Sequence, residues 1–365
     1  MASVKEYVRY IDALEREMSR RANFFLHDKQ KSRHSPRTIY IGGGTPSLLD
    51  TECLERLLAA LRQHFDLSQL EEATIECNPE DLSPAYLRKL HDLRFFDRLS
   101  IGVQSFNDAR LRRLNRRHSA AQSVNAIMDA AEAGFERLSI DLIYGQPGQS
   151  NDEWDNDLMA VEQLNRRLPH PIGHISCYAL TVEPGTILEK QIAMGREPHC
   201  NDNEAVAHYE RMLSWMAVNG YQQYEVSNFA QPVQISRHNS RYWDQTPYLG
   251  LGAAAHSFDG TTRRWNIADV NSYIDSSMRG DSAHESEHLT EEDTFNEYVM
   301  TSLRTTAGIK KSMIPTSFVE HLQKNIARFV KSRLIEETDT HYRPTPTGLL
   351  RADGIASDLF ITHAR

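Results

Sequence analysis

Cysteine is scarce in this chain, and the few present lie far apart. Cys53, Cys77, Cys177 and Cys200 are the only four in 365 residues. No two stand in C-x-x-C spacing, so a disulfide-stapled scaffold is excluded and neither a zinc knuckle nor a local disulfide is indicated. The opening residues, MASVKEYVRYIDALEREMSRR, hold no apolar core of a signal peptide. Scattered thiols behind such a start fit a reducing cytoplasm. Long apolar runs are missing as well; none approaches the roughly 20 residues that a membrane-spanning helix needs. Cationic excess is also absent. Lys and Arg number 41 against 50 Asp and Glu, a net charge of -9, which disfavours a general nucleic-acid partner or anionic surface. What remains is an ordinary globular composition, 40% hydrophobic and 25% charged, long enough for one large domain and a smaller one.

Up to about residue 180, short β-branched runs alternate with amphipathic segments. Strands are expected at Thr38–Ile41, Ala73–Glu76, Leu99–Val103, Leu138–Ile143 and Gly173–Tyr178. Between them Leu54, Leu57, Leu58, Leu61 and Phe65 fall on one helical face, Ser83 reads as a helix N-cap, and Gly134 closes a helix begun near Ala120. Repeated strand–helix units argue for a parallel α/β sheet, either doubly wound or a whole or partial (β/α) barrel. Either choice puts chemistry at the C-terminal strand ends. The residues there are Gly42-Gly43-Gly44-Thr45, Glu76, Gln104, Asp141, and Tyr178 with Ala179.

The glycine triplet lets a ligand approach the backbone, but it matches neither G-x-G-x-x-G nor a P-loop. Glu76 and Asp141 suit a ribose hydroxyl or an amino group, and Gln104 can both donate and accept. Arg116, within a run of arginines, suits a carboxylate. Together they favour a zwitterionic, ribose-bearing ligand over a polyphosphate. Further on, His238-Asn239-Ser240-Arg241-Tyr242-Trp243 combines an iron-competent imidazole with two flat aromatic faces. It reads either as a clamp for a planar macrocycle such as heme or as a loop packing its own aromatics. Arg237 or Arg241 could meet a propionate.

The small-residue run Tyr248–His256 suits close backbone packing near a ligand. Residues 281–298 carry seven acids and no Lys or Arg, which reads as a solvated linker and a charged helix start. Thr290 with Asp293 marks that start. Helices near 291–306, 313–322 and 323–332, followed by two short strands, form a winged-helix pattern. Residues 290–365 nevertheless hold ten Lys and Arg and ten Asp and Glu, so a covering or partner-binding role is expected rather than DNA contact.

Four segments carry a family likeness: Gly42-Gly43-Gly44-Thr45-Pro46-Ser47, Glu76-Cys77-Asn78-Pro79-Glu80, Gly102-Val103-Gln104-Ser105-Phe106 and Ser139-Ile140-Asp141-Leu142-Ile143-Tyr144-Gly145. In order, they resemble the radical-SAM family of oxygen-independent coproporphyrinogen III oxidases. The H-N-x-x-Y-W segment at 238–243, and the lack of the long N-terminal extension carried by the decarboxylating enzymes, make the chain most similar to the HemW-like heme-chaperone branch.

The resemblance implies a partial (β/α) TIM-like barrel with its first strand missing, plus a C-terminal winged-helix-like α+β domain. The expected division is 1–200 for the core, 201–285 for barrel completion and the heme motif, and 286–365 for the last domain. It implies an S-adenosylmethionine site at Gly43, Gly44, Thr45, Glu76, Gln104, Arg116, Asp141 and Ala179, and a heme site at His238, Asn239, Tyr242 and Trp243, with His238 as the candidate iron ligand. Haemoproteins that accept heme are the implied partners, with a homodimer and a peripheral membrane contact among the expectations and nucleic acid excluded. The family's [4Fe–4S] cluster needs a C-x-x-x-C-x-x-C loop after the first barrel strand, and the sequence as given shows neither. A start assigned too late, with Met1 an internal methionine and the loop encoded upstream, is the expectation. Coproporphyrinogen oxidation is therefore not expected of this chain; that decarboxylase, or an inactive fragment, is the alternative reading.

Overall fold

The computed structural model describes residues 4–26 and 35–362; Met1 lies outside them. In chain order the elements are α1 (Val4–Arg21), β1 (Thr38–Ile41), α2 (Thr51–His64), β2 (Glu72–Cys77), α3 (Pro84–Asp92), β3 (Arg98–Gln104), α4 (Asp108–Arg113), α5 (Ala120–Glu132), β4 (Arg137–Tyr144), α6 (Asn151–Asn165) and β5 (His174–Ala179). There follow α7 (Ile187–Ala193), α8 (Asp202–Val218), β6 (Gln222–Gln223), β7 (Asn228–Ala230), α9 (Arg237–Trp243), β8 (His256–Phe258), β9 (Thr262–Asn266), α10 (Val270–Arg279) and β10 (His284–His288). The last are α11 (Glu291–Leu303), β11 (Ile309–Lys310), α12 (Val319–Lys331), β12 (Ile335–Glu337), β13 (His341–Pro344), α13 (Pro346–Leu349) and α14 (Ala352–Leu359). Among the described residues no helix is long and apolar enough to cross a membrane.

The chain forms two compact units. One is Ile39–Leu48 with Glu72–Ser236; the other is Met1–Thr38, Leu49–Glu71 and Arg237–Arg365. The first carries the large sheet, in the order β1-β2-β3-β4-β5-β7-β6. Strands β2 to β5 pair in parallel, and β7 pairs antiparallel with both β5 and β6. All five strands expected from the sequence are present, each within a residue or two of its expected bounds. Side chains alternate across the sheet. Ala73, Ile75, Leu99, Ile101, Val103, Leu138, Ile140, Leu142 and Ile175 share one face and are buried. The opposite face is polar: Thr74, Glu76, Arg98, Ser100, Ser139, Asp141, His174 and Ser176. An apolar face is what covering helices need, and a polar one is what a ligand needs, so the alternation sets which side of the sheet does chemistry.

Helix starts follow the capping signals. Ser83, Ser119 and Ser150 accept from the backbone of α3, α5 and α6, the last two in full capping boxes. In the other unit, α1 packs against α2 and α10, burying Ile11, Leu14 and Met18. The sequence reading did not expect this helix, although its apolar residues recur at i, i+3 and i+7. The Thr290–Asp293 capping box opens α11 as expected.

Two expectations fail in detail. The two helices near 313–322 and 323–332 are a single helix, α12, preceded by short 3-10 turns. Pro315 forces Ile314 into an extended conformation, which prevents an earlier start, and Leu322 and Ile326 continue one buried face across the supposed break. The acidic stretch treated as a linker contains β10, a fully exposed strand paired with β9. It is held by Arg263–Glu287 at 3.1 Å and Trp265 Nε1–Glu285 at 3.2 Å. The small residues of 248–256 do pack closely through their backbone. Gly252 N donates to Glu17 Oε2 at 2.9 Å, and Ala253 N to the Tyr10 hydroxyl at 3.1 Å.

Candidate functional site

At the end of β1 the chain turns through Gly43 and Gly44 with φ of 79° and 61°, a left-handed conformation that glycine adopts without strain. A Cβ added at either would meet nothing within 4 Å, so the turn itself lies open to an approaching group. Gly43 N donates to Glu76 Oε2 at 2.9 Å, and the Tyr40 hydroxyl donates to Glu76 Oε1 at 2.7 Å. Both oxygens of the β2 carboxylate are thus oriented. Thr45 follows in the same turn, its carbonyl accepting from Leu48 N at 3.1 Å.

Gln104 ends β3 at φ 67°, beside a register shift against β4. Its side chain lies close to Gly102, as do the Arg116 guanidinium and Asn78. Arg116 Nη2 donates to Asn78 Oδ1 at 2.7 Å and to the Gly102 carbonyl at 3.1 Å. Asp141, in β4, is raised to about 7 by burial, opposed by a hydrogen bond from Ser176 and by Arg116, and pushed further by Glu76. Some solvent still reaches it. The Tyr40 phenol is pushed up by burial and by the charges of Glu76 and Asp141. These influences place Tyr40, Glu76, Arg116 and Asp141 in one electrostatic neighbourhood. Ala179 closes β5, paired with Tyr144, and is exposed next to the half-exposed Tyr178.

Tyr40 and Asn78 were missed by the sequence reading. Tyr40 lies inside β1 rather than at its end, so the strand-end rule passed over it.

The second candidate group lies in the other unit. The 238–243 segment, which reads either as a clamp for a planar macrocycle or as a loop packing its own aromatics, forms the helix α9. Helical spacing puts His238 and Tyr242 on one face at i and i+4. Their rings meet edge to face at 5.2 Å, with His238 Nε2 3.2 Å from the Tyr242 hydroxyl. His238 Nδ1 lies 2.9 Å from Thr38 Oγ1. Asn239 and Trp243 form the other i, i+4 pair. Arg304, the C-cap residue of α11, lies over the Trp243 ring at 5.7 Å, and the buried indole N–H has no hydrogen-bond partner among the described residues. The structure therefore joins His238 with Tyr242 and turns Trp243 toward α11. Arg237 pairs with Glu71 at 2.8 Å, and Arg241 lies 3.5 Å from Asp244.

A polar-faced parallel sheet with its charged groups gathered at the strand ends is the architecture of the radical-SAM class. Residues 26–160 match the radical SAM superfamily and residues 289–351 the HemN C-terminal domain. The fold matches coproporphyrinogen III oxidase (HemN) from Escherichia coli, a radical SAM enzyme, with a TM-score of 0.80 over 99% of this chain and 85% of that one, at 23% identity. Heme chaperone HemW from Lactococcus lactis is 35% identical over 303 residues, 82% of this chain and 78% of that protein. HemW from Bacillus subtilis is 35% identical over 304 residues, 83% and 77% of the two chains. The chain belongs to the radical-SAM superfamily and, within it, to the HemW family.

Membership implies S-adenosylmethionine and an iron–sulfur cluster as family cofactors, and the two fare differently here. The open glycine turn and the oriented carboxylates fit a ligand bearing an amino group and a ribose. The cysteines do not fit a cluster. Cys53 is in the first turn of α2, Cys77 ends β2, Cys177 is within β5 and Cys200 precedes α8. The first three are buried, and burial raises all four thiols, which opposes the thiolate a metal requires. Among the described residues no three His, Cys, Asp or Glu are grouped to hold a metal ion.

Proposed function

We propose that the protein is a heme chaperone, taking heme as cargo on α9 and passing it to a haemoprotein. The observation that carries this reading is the His238–Tyr242 pair, an imidazole and a 44% exposed aromatic ring on one helical face, in a chain of the HemW family. His238 supplies the iron-binding nitrogen. The Tyr242 ring offers apolar surface to the macrocycle. Arg241, held only at 3.5 Å by Asp244, is the better placed of the two arginines to meet a propionate, because Arg237 is already paired. Asn239 and Trp243, the other residues expected at the heme site, share the second i, i+4 face of α9, with Trp243 against Arg304.

On the same reading, S-adenosylmethionine binds at the strand ends of the large sheet. Gly43 and Gly44 offer backbone, Glu76 and Asp141 take the amino group or ribose hydroxyls, and Gln104, Arg116, Thr45 and Ala179 complete the surround. The scattered free thiols suit action in the cytoplasm.

Heme titration followed by Soret absorbance tests the cargo site. His238→Ala combined with Tyr242→Ala is expected to weaken heme binding at least tenfold, about 1.4 kcal/mol. If α9 only packs its own aromatics, the double variant loses melting temperature and keeps its heme affinity. Unchanged titration in a folded double variant would sink the assignment.

A further inference from the structure

Both ring nitrogens of His238 are engaged, and by partners of different mobility. Thr38, at Nδ1, is the first residue of β1 and sits at 2.9 Å. Its backbone is fixed in a strand and its short side chain has a single rotatable torsion. Tyr242, at Nε2, sits at 3.2 Å on the next turn of the same helix. Its ring is 44% exposed, leaning edge-on against Tyr248 at 5.0 Å. A metal-bound histidine needs a neutral ring, with a proton on one nitrogen and a lone pair on the other, and the partner of the first selects which nitrogen faces the metal.

We propose that Thr38 is a positioning residue that accepts the His238 Nδ1 proton, so that Nε2 carries the lone pair, and that the Tyr242 hydroxyl caps Nε2 until heme displaces it. The inference rests on the heme reading of α9 and adds the residue that orients its ligand and the group that guards it. One proton chain accounts for both contacts: Tyr242 O–H donates to Nε2, and Nδ1–H donates to Thr38 Oγ1. Only the Nε2 partner can leave cheaply. The tyrosine can rotate into solvent, whereas Thr38, with its backbone held in β1, can withdraw its hydroxyl only by turning a β-branched side chain about χ1. The cap also satisfies Nε2 while no heme is bound. Nothing in the H-N-x-x-Y-W segment points to Thr38, which lies 200 residues earlier in the chain.

The test compares Thr38→Val, Thr38→Ser, Tyr242→Phe and His238→Ala in the full chain. Ferric heme titration, stopped-flow association and imidazole nitrogen NMR of the heme-free protein are the readouts. Thr38→Val keeps the shape and removes the hydroxyl; it is expected to lower heme affinity by about 10- to 100-fold, with Thr38→Ser restoring it. The heme-free wild type should show the proton on Nδ1, and Thr38→Val should lose that preference. Tyr242→Phe keeps the ring and is expected to speed heme association. If His238→Ala binds heme like wild type, the heme reading itself fails, and this inference with it. If His238→Ala loses heme while Thr38→Val binds as wild type, the heme reading stands and the positioning role is wrong. A proton on Nε2 in the heme-free protein would overturn the cap. Should Thr38→Val melt early, Thr38→Ser, Tyr242→Phe and the wild-type NMR still decide the question.

Discussion

Asp141 carries a conflict between stability and binding. Its carboxyl, ordinarily at 3.8, is raised to about 7, chiefly by burial. The folded protein therefore keeps a proton that the unfolded chain releases between about pH 4 and 7. The stability linked to that proton is complete below pH 4 and is lost as pH rises through 7. Complete burial would set the loss near 4 kcal/mol; solvent still reaches the group, so about half of that is expected. Asp141→Asn should therefore gain on wild type as pH rises from 5 to 8. Urea midpoints at both ends of that range test it, and parallel profiles for the two proteins would refute the buried-carboxyl account. A cationic amino group arriving beside Asp141 would draw the proton off. S-adenosylmethionine binding near pH 7 is thus expected to release a proton, so its calorimetric heat should vary with the ionisation heat of the buffer.

At the scale of elements, two glycines of the C-terminal segment should respond oppositely to alanine. Gly308, ahead of β11, has φ 71°, and a Cβ there would run into the Tyr342 carbonyl and lie 2.8 Å from Arg343 Cα. Gly308→Ala is expected to cost about 3 kcal/mol through strain and displaced backbone. Gly354 lies inside α14, with nothing within 4 Å of the added methyl. Gly354→Ala should stabilise by about 0.5–1 kcal/mol. Thermal melts of the pair check the sign as well as the size. The strands of the large sheet were legible because each combines a β-branched run with period-two polarity, as in Thr74–Ile75–Glu76, and the strand-end rule then led to Glu76, Gln104 and Asp141. Long-range partners were not legible. Thr38 beside His238, and Tyr40 beside Glu76, are brought together by the chain's path rather than by any local pattern. Helix α9 was readable, since His238 and Tyr242 stand four apart, but six aromatic and polar residues read either as a clamp or as a packing loop. Strand β10 had no apolar face to announce it; its partners on β9 decide its conformation.

At the scale of the whole molecule, chain order and compact units do not coincide, because the chain passes between the two units after Thr38, Leu48, Glu71 and Ser236. Neither unit can be cut out as one stretch. The C-terminal segment differs within its own unit. Phe295, Val299, Leu303, Ile309, Phe318, Leu322, Ile326, Ile335, Tyr342, Ile355, Ala356 and Leu359 form one buried cluster, and all of it comes from continuous sequence. Helices α11 and α12 both pack on α14, and β11-β13-β12 close the remaining side. A segment spanning residues 287–362 is therefore expected to fold alone, with helical circular dichroism and a cooperative melt. A core in so short a chain supplies only about 3–5 kcal/mol, and truncating a buried phenylalanine costs about as much. Phe295→Ala, which removes a ring 1% exposed and 4.9 Å from Phe318, should thus unfold the isolated segment outright. In the full chain the same substitution should lower the melting temperature without abolishing the fold, because α1, α2 and α10 of the same unit keep their own packing. A segment that stays unfolded without the substitution, while the full chain melts cooperatively, would show that this cluster depends on the rest of the protein.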